Sequence, residues 1–186
     1  GADRFLHLSA NRGTLGYRTA GQISGHAAAA DAFAVAAVSA QGRTIPFAGI
    51  EPVQTYSSDG PRRMFFYPDG TAITPGNYLA TGGTVRAKPD ITAADCVRTA
   101  TPGFNPFCGT SAAAPHAAGI AALMLSQKPG LTIPQARQVF QQTALDIEAA
   151  GWDRDAGSGI IMADKVLNAI AVRMNGGILD LLLDKK

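Results

Sequence analysis

From Ser111 to Leu125 the only polar side chains are those of Ser111 and His116. A helix that is apolar on every side is a buried one, so this run predicts a central core helix over 111–126. Pro115 then falls in or just after the first turn, where its missing N–H costs little. Upstream, Phe33-Ala34-Val35-Ala36-Ala37-Val38 is a continuous apolar run with β-branched members. That is the pattern of a buried parallel strand, here near 33–39. Downstream, Thr132-Ile133-Pro134-Gln135 combines a Thr cap, an early Pro and a Gln three residues on, a capping box that opens a helix over 133–144. Ala136, Val139, Phe140 and Thr143 continue it at helical spacing. Ala163, Val166, Leu167 and Ile170 predict another amphipathic helix over 162–174, closed by Asn175-Gly176-Gly177.

Shorter signals fill the rest. Arg4 to Ser9 alternates as a brief strand ahead of the turn Asn11-Arg12-Gly13, which makes His7 a surface residue. Arg63 to Tyr67 and Ala72 to Thr74 predict a hairpin across Pro68-Asp69-Gly70. The tail Ile178 to Leu183 reads as an edge element. Buried strands alternating with helices imply an α/β layered domain with a mainly parallel sheet.

Composition narrows the function. With 186 residues, 46% hydrophobic and 16% charged, the chain is a packed globular domain or the larger part of one. A net charge of +2 argues against nucleic acid or an acidic membrane surface as partner. The longest apolar run is interrupted by Pro115 and His116 and does not reach a membrane span. No signal peptide is present, but Gly1-Ala2-Asp3 does not resemble a native start, so localisation stays open. Cys96 and Cys108 bracket the loop before Ser111. They are free thiols in a reducing compartment and a disulfide in an oxidising one.

The chemistry centres on Ser111. A hydroxyl at a helix N-terminus lies beside unpaired backbone N–H groups and the positive end of the helix dipole, a setting that stabilises an oxyanion. Alanines around it leave room for a substrate backbone. The plain alternative is an Ala-rich core helix with an ordinary hydroxyl cap. An α/β-hydrolase is disfavoured because no Gly-x-Ser-x-Gly elbow occurs.

The segment Gly109-Thr110-Ser111-Ala112-Ala113-Ala114-Pro115-His116-Ala117-Ala118-Gly119 resembles the nucleophile segment of subtilisin-like serine proteases. Three further motifs follow that family's order. Ser57-Ser58-Asp59-Gly60-Pro61 resembles its Ser-Ser-x-Gly-Pro turn, and Lys88-Pro89-Asp90-Ile91 its Lys-Pro-Asp-Ile segment. Gly151 to Gly159 is similar to its Gly-x-Asp-x-x-x-Gly-x-Gly turn. The resemblance spans roughly His26 to Ala171. It implies a three-layer subtilisin-like fold with a mainly parallel sheet, lacking its N-terminal portion. On that reading residues 1–22 are a strand and loop entering the core or the end of an upstream inserted domain, 23–175 form the C-terminal part of the peptidase domain and 176–186 form a tail.

The resemblance also implies site roles. Ser111 takes the position of the nucleophile and backbone oxyanion donor. The family's triad Asp and His motifs are absent, and a serine nucleophile needs a base and a group that orients it. His116 matches the nucleophile motif's own structural histidine, and His26 reads as a structural residue in a tight turn. Asp90 matches a structural position, not the triad Asp. Asn11 is a candidate for the oxyanion Asn, though a loop residue at the end of an insertion is the preferred reading. Asp153 and Asp155 hint at calcium, but the remaining ligands and the terminal Glu are missing, so a turn is preferred and no cofactor is expected. The implied activity is peptide-bond hydrolysis through an acyl-enzyme, on peptide or protein substrates, in a secreted protein. It requires the upstream part of the same protein, so the chain alone is expected to be inactive. The other class in play is a non-catalytic remnant or interaction module.

Overall fold

The computed structural model describes residues 6–8, 10, 15–17, 19–73, 78–79 and 81–174. Its centre is a parallel pair, β1 (Val35–Ser39) beside β4 (Ile91–Asp95), in register from Val35 opposite Ile91 to Ser39 opposite Asp95. Between them in sequence lies an antiparallel pair, β2 (Arg62–Met64) against β3 (Thr84–Arg86). Three helices follow: α1 (Thr110–Gln127), α2 (Ile133–Thr143) and α3 (Ala163–Met174). Among the described residues none is long and apolar enough to cross a membrane.

The alternation of the central strands decides the layers. Ala37, Ile91 and Ala93 meet Ala113, Ala117 and Met124 of α1, with Val139, Phe140, Val166 and Ile170 of the other helices behind them. Val38 points to the opposite face, where Ile147, Ala156 and Ile160 cover it from irregular chain. The result is a portion of an α/β layered fold, as the pattern of apolar runs predicts.

The helices begin and end within a residue of the predicted bounds. In the Thr132 capping box, Gln135 N–H donates to Thr132 Oγ1 at 3.4 Å and Thr132 N–H donates to Gln135 Oε1 at 3.0 Å. The central strand starts two residues later than predicted. Phe33 lies outside the ladder, packed edge-on against Phe140 at 5.6 Å between ring centroids, with the Arg137 guanidinium 4.3 Å above its ring.

Two strand expectations change. The predicted hairpin forms as a short one around Pro68-Asp69-Gly70, with Phe66 bridged to Ala72, Tyr67 N–H donating to Thr71 O at 2.8 Å and Ile73 N–H to Phe65 O at 2.8 Å. The ladder of Arg62–Met64 goes instead to Thr84–Arg86, a segment with no strong alternation of its own. Leu6, His7 and Leu8 form no strand and are exposed. Arg4, Phe5, Ser9, the Asn11-Arg12-Gly13 turn, Thr74 and everything from Asn175 onward lie outside the described residues.

The largest correction concerns α1. Uniform apolarity predicts burial on all sides, yet only one stripe, Ala112, Ala113, Ala117 and Met124, is buried. Ala114, Ala118, Leu123 and Leu125 are exposed. The stripe faces β1 and β4, and no described residue covers the far side.

Two close approaches hold motif turns against the chain beside them. A Cβ on Gly60 would lie 1.5 Å from Lys88 O, and one on Gly159, whose φ is +101°, would lie 2.2 Å from Leu145 O. Only glycine fits either place.

Candidate active site at the N-terminus of α1

The site is assembled where β4 ends and α1 begins. After Asp95 the chain turns through Cys96, which is disulfide-bonded to Cys108. The alternative left open by the sequence is thus resolved as a bridge. Val97 and Phe107 exchange backbone hydrogen bonds of 3.1 and 2.8 Å just inside it, closing the loop between them. Gly109 follows at φ 117°, ψ 161°, a conformation that side chains strongly disfavour. Its carbonyl accepts from Ala112 N–H at 2.8 Å and from Ala113 N–H at 3.3 Å, starting the helix.

Ser111 is exposed in the first turn of α1. The N–H groups of Thr110 and Ser111 have no acceptor among the described residues, as expected for the leading N–H groups of a helix. Pro115 supplies no N–H to the carbonyl of Ser111 four residues back. The hydroxyl, two free donors and the positive helix end therefore share one open surface.

The other singled-out residues are held elsewhere. His116 Nδ1 lies 2.8 Å from Ala94 O and ties α1 to β4. His26 is exposed in a short 3-10 turn, where its carbonyl accepts from Ala29 N–H at 3.0 Å. His7 Nδ1 is 3.0 Å from a guanidinium nitrogen of Arg62, on the surface. Among the described residues no histidine is hydrogen-bonded to Ser111. Asp90 stands at the opposite end of β4 from this site. It is buried, and it accepts from Ala34 N–H and from Lys88 Nζ, each at 2.7 Å, while Arg137 pairs with its other oxygen. Asn11 lies outside the described residues.

Asp153 caps a turn. Its Oδ1 accepts from the N–H groups of Asp155 and Ala156 at 2.7 and 2.8 Å, and Asp153 and Gly157 exchange backbone hydrogen bonds. Among the described residues no group of three or more His, Cys, Asp or Glu side chains is placed to hold a metal ion.

Two residues beside Ser111 were not flagged by motif. Asp95 is fully buried at the end of β4, and its Oδ2 accepts from Gly109 N–H at 2.7 Å and from the hydroxyl of Tyr56. The Tyr56 hydroxyl is pushed up to about 12, first by loss of water around it, then by the hydrogen bond to Asp95 and its charge. The one sequence signal for this pair is an acid closing the strand Ile91-Thr92-Ala93-Ala94 immediately before a cysteine.

Fold and site together describe part of an α/β layered domain with an exposed helix-terminal serine. A family model described as the Subtilase family matches residues 9–159, and the chain belongs to that family. It carries part of a subtilisin-like protease domain. Fervidolysin of Fervidobacterium pennivorans is 38% identical over 64 residues, covering 34% of this chain and 9% of that protein. A probable subtilase-type serine protease of Deinococcus radiodurans is 31% identical over 110 residues, covering 58% of this chain and 12% of that protein. An extracellular serine protease of Serratia marcescens is 36% identical over 67 residues, or 36% of this chain and 6% of that protein. The crystal structure of fervidolysin, described as a keratinolytic enzyme related to subtilisin, aligns with a TM-score of 0.44 at 24% identity, covering 74% of this chain and 19% of that one. The chain thus spans a small fraction of each relative's length.

Proposed function

We propose that this chain is the nucleophile-bearing C-terminal portion of a subtilisin-like serine endopeptidase that acts on peptide or protein substrates outside the cytoplasm. The observation that carries the reading is the exposed Ser111 at the head of α1, beside unaccepted N–H groups, within the Gly-Thr-Ser-Ala-Ala-Ala-Pro-His run. An upstream histidine, oriented by an upstream aspartate, takes the Oγ proton as Oγ bonds to the scissile carbonyl carbon. The carbonyl oxygen becomes an anion held by the N–H of Ser111. Collapse breaks the C–N bond, the histidine returns the proton to the leaving amine, and water then hydrolyses the ester.

The need for an upstream part is supported by the uncovered side of the fold. An apolar groove of about 390 Å³ runs between β1, α1 and α2, lined by Val35, Ala114, Ala118, Leu125 and Ala136 among others. In the parallel pair Ala34 O accepts from Ile91 N–H, so by alternation the N–H and C=O of Val35 point away from β4, where no described residue meets them, although Ala37 further along is bonded by Gln54 N–H and Ser57 Oγ. A further strand and helix complete both surfaces. No cofactor enters this chemistry.

The test uses the full-length protein and its Ser111→Ala variant with a fluorophosphonate probe and casein. Labelling and cleavage are expected in the first and absent in the second. The 186-residue chain alone is expected to cleave casein no faster than its own Ser111→Ala form. Labelling that persists in full-length Ser111→Ala refutes the nucleophile, and a full-length protein inert to both reagents marks the non-catalytic reading.

A further inference from the structure

We infer that Asp95 is a positioning residue for the nucleophile, acting through the backbone of Gly109; the inference rests on the assignment of Ser111 as nucleophile. Asp95 and Cys96 at the end of β4 face Gly109 and Cys108 at the start of α1, so two successive clasps join these segments. One is the disulfide between Cys96 and Cys108. The other is the hydrogen bond from Gly109 N–H to Asp95 Oδ2 at 2.7 Å.

Gly109 is therefore held on both sides. Its N–H is fixed by a fully buried carboxylate, and its carbonyl by the N–H groups of Ala112 and Ala113. A glycine at φ 117° has wide conformational freedom, so these contacts, and not its own sterics, set the direction in which Thr110 and Ser111 leave. The Tyr56 hydroxyl donates to the same Oδ2, a second contact that fixes the carboxylate. Tyr56 belongs to the turn after β1, where Ser57 Oγ accepts from Ala37 N–H at 3.0 Å, so the anchor reaches back into the sheet.

The second oxygen argues that stability is not the reason for an acid here. Asp95 Oδ1 is buried and has no hydrogen-bond partner among the described residues. An unsatisfied buried oxygen costs stability, and an apolar residue would avoid leaving it there. The benefit falls on geometry, where a misplacement of about 1 Å costs on the order of a hundredfold in rate.

Full-length wild type, Asp95→Ala, Asp95→Asn and Ser111→Ala are compared by fluorophosphonate labelling rate, by kcat and KM on a peptide substrate, and by amide hydrogen exchange. Asp95→Ala is expected to lose about tenfold or more in labelling rate and kcat with KM little changed, the pattern of disturbed attack geometry. Amide exchange at Gly109 is expected to accelerate in the same variant. Asp95→Asn keeps an acceptor for Gly109 N–H and should return most of both losses. Wild-type kcat and unchanged Gly109 exchange in Asp95→Ala overturn the inference, as does equal loss in the Ala and Asn variants. Persistent labelling of Ser111→Ala defeats the nucleophile assignment alone, because exchange at Gly109 still reports whether Asp95 holds the loop.

Discussion

The guanidinium of Arg137, on α2, pairs with the buried carboxylate of Asp90 at the start of β4, and Lys88 Nζ reaches the other oxygen of the same carboxylate at 2.7 Å. One acid thus joins the helical layer, the first turn of sheet and the segment ahead of β1, whose Ala34 N–H it also accepts. Removing it leaves two cations with carbonyl acceptors but without this carboxylate, and of the two Lys88 is 2% exposed. Asp90→Ala is expected to destabilise the full-length protein by about 3–5 kcal/mol, the cost of an orphaned buried charge. Urea denaturation of the variant measures it, and a loss below about 1 kcal/mol, typical of a surface pair, contradicts the assignment.

The Cys96–Cys108 bridge closes a loop of sequence separation 12. Chain-entropy reasoning assigns such a loop about 3 kcal/mol of stabilisation. The paired Cys96→Ser, Cys108→Ser variant should unfold at correspondingly lower denaturant. Because Asp95 still binds Gly109, labelling of Ser111 below the unfolding transition should slow without vanishing.

Tyr56 supplies a pH signature. Its hydroxyl titrates at about 12 against an ordinary value of 10.0, so the fold favours the neutral, donating form. The unfolded chain releases this proton first on raising pH. The contribution is therefore complete below pH 10 and is lost as pH rises through about 12. Absorbance titration should show a late-ionising tyrosine component in the wild type that is lost in Tyr56→Phe. Asp95→Asn should bring that titration back toward the ordinary range, since it removes the charge that holds the proton.

The exposed side of α1 makes a prediction about chain length. Ala118 is solvent-exposed here and lines the apolar groove. Ala118→Glu should leave thermal stability of the isolated chain within about 0.5 kcal/mol, as for surface substitutions generally. In the full-length protein the same change places a charge in a covered interface and should lower the midpoint sharply. Equal, small effects in both would show that the groove stays open.

The exposed serine at the head of α1 and the three helices were legible along the chain because their signals are local. A capping box, a period of 3.6 and a run of small residues act over a few neighbours, and the helices at 110–127, 133–143 and 163–174 follow those signals. Likewise, Ser111 stood out by its place at the head of an apolar run. Pairing choices were not legible in that way. Arg62–Met64 takes Thr84–Arg86 as partner over the nearer Ala72 segment, since strand pairing is decided by what else packs on each face. The clasp of Asp95 on Gly109 joins residues 14 apart through a loop whose path only tertiary packing sets. The burial of α1 was likewise beyond local pattern: apolarity says that a face can be covered, and only the assembled layers decide which faces are.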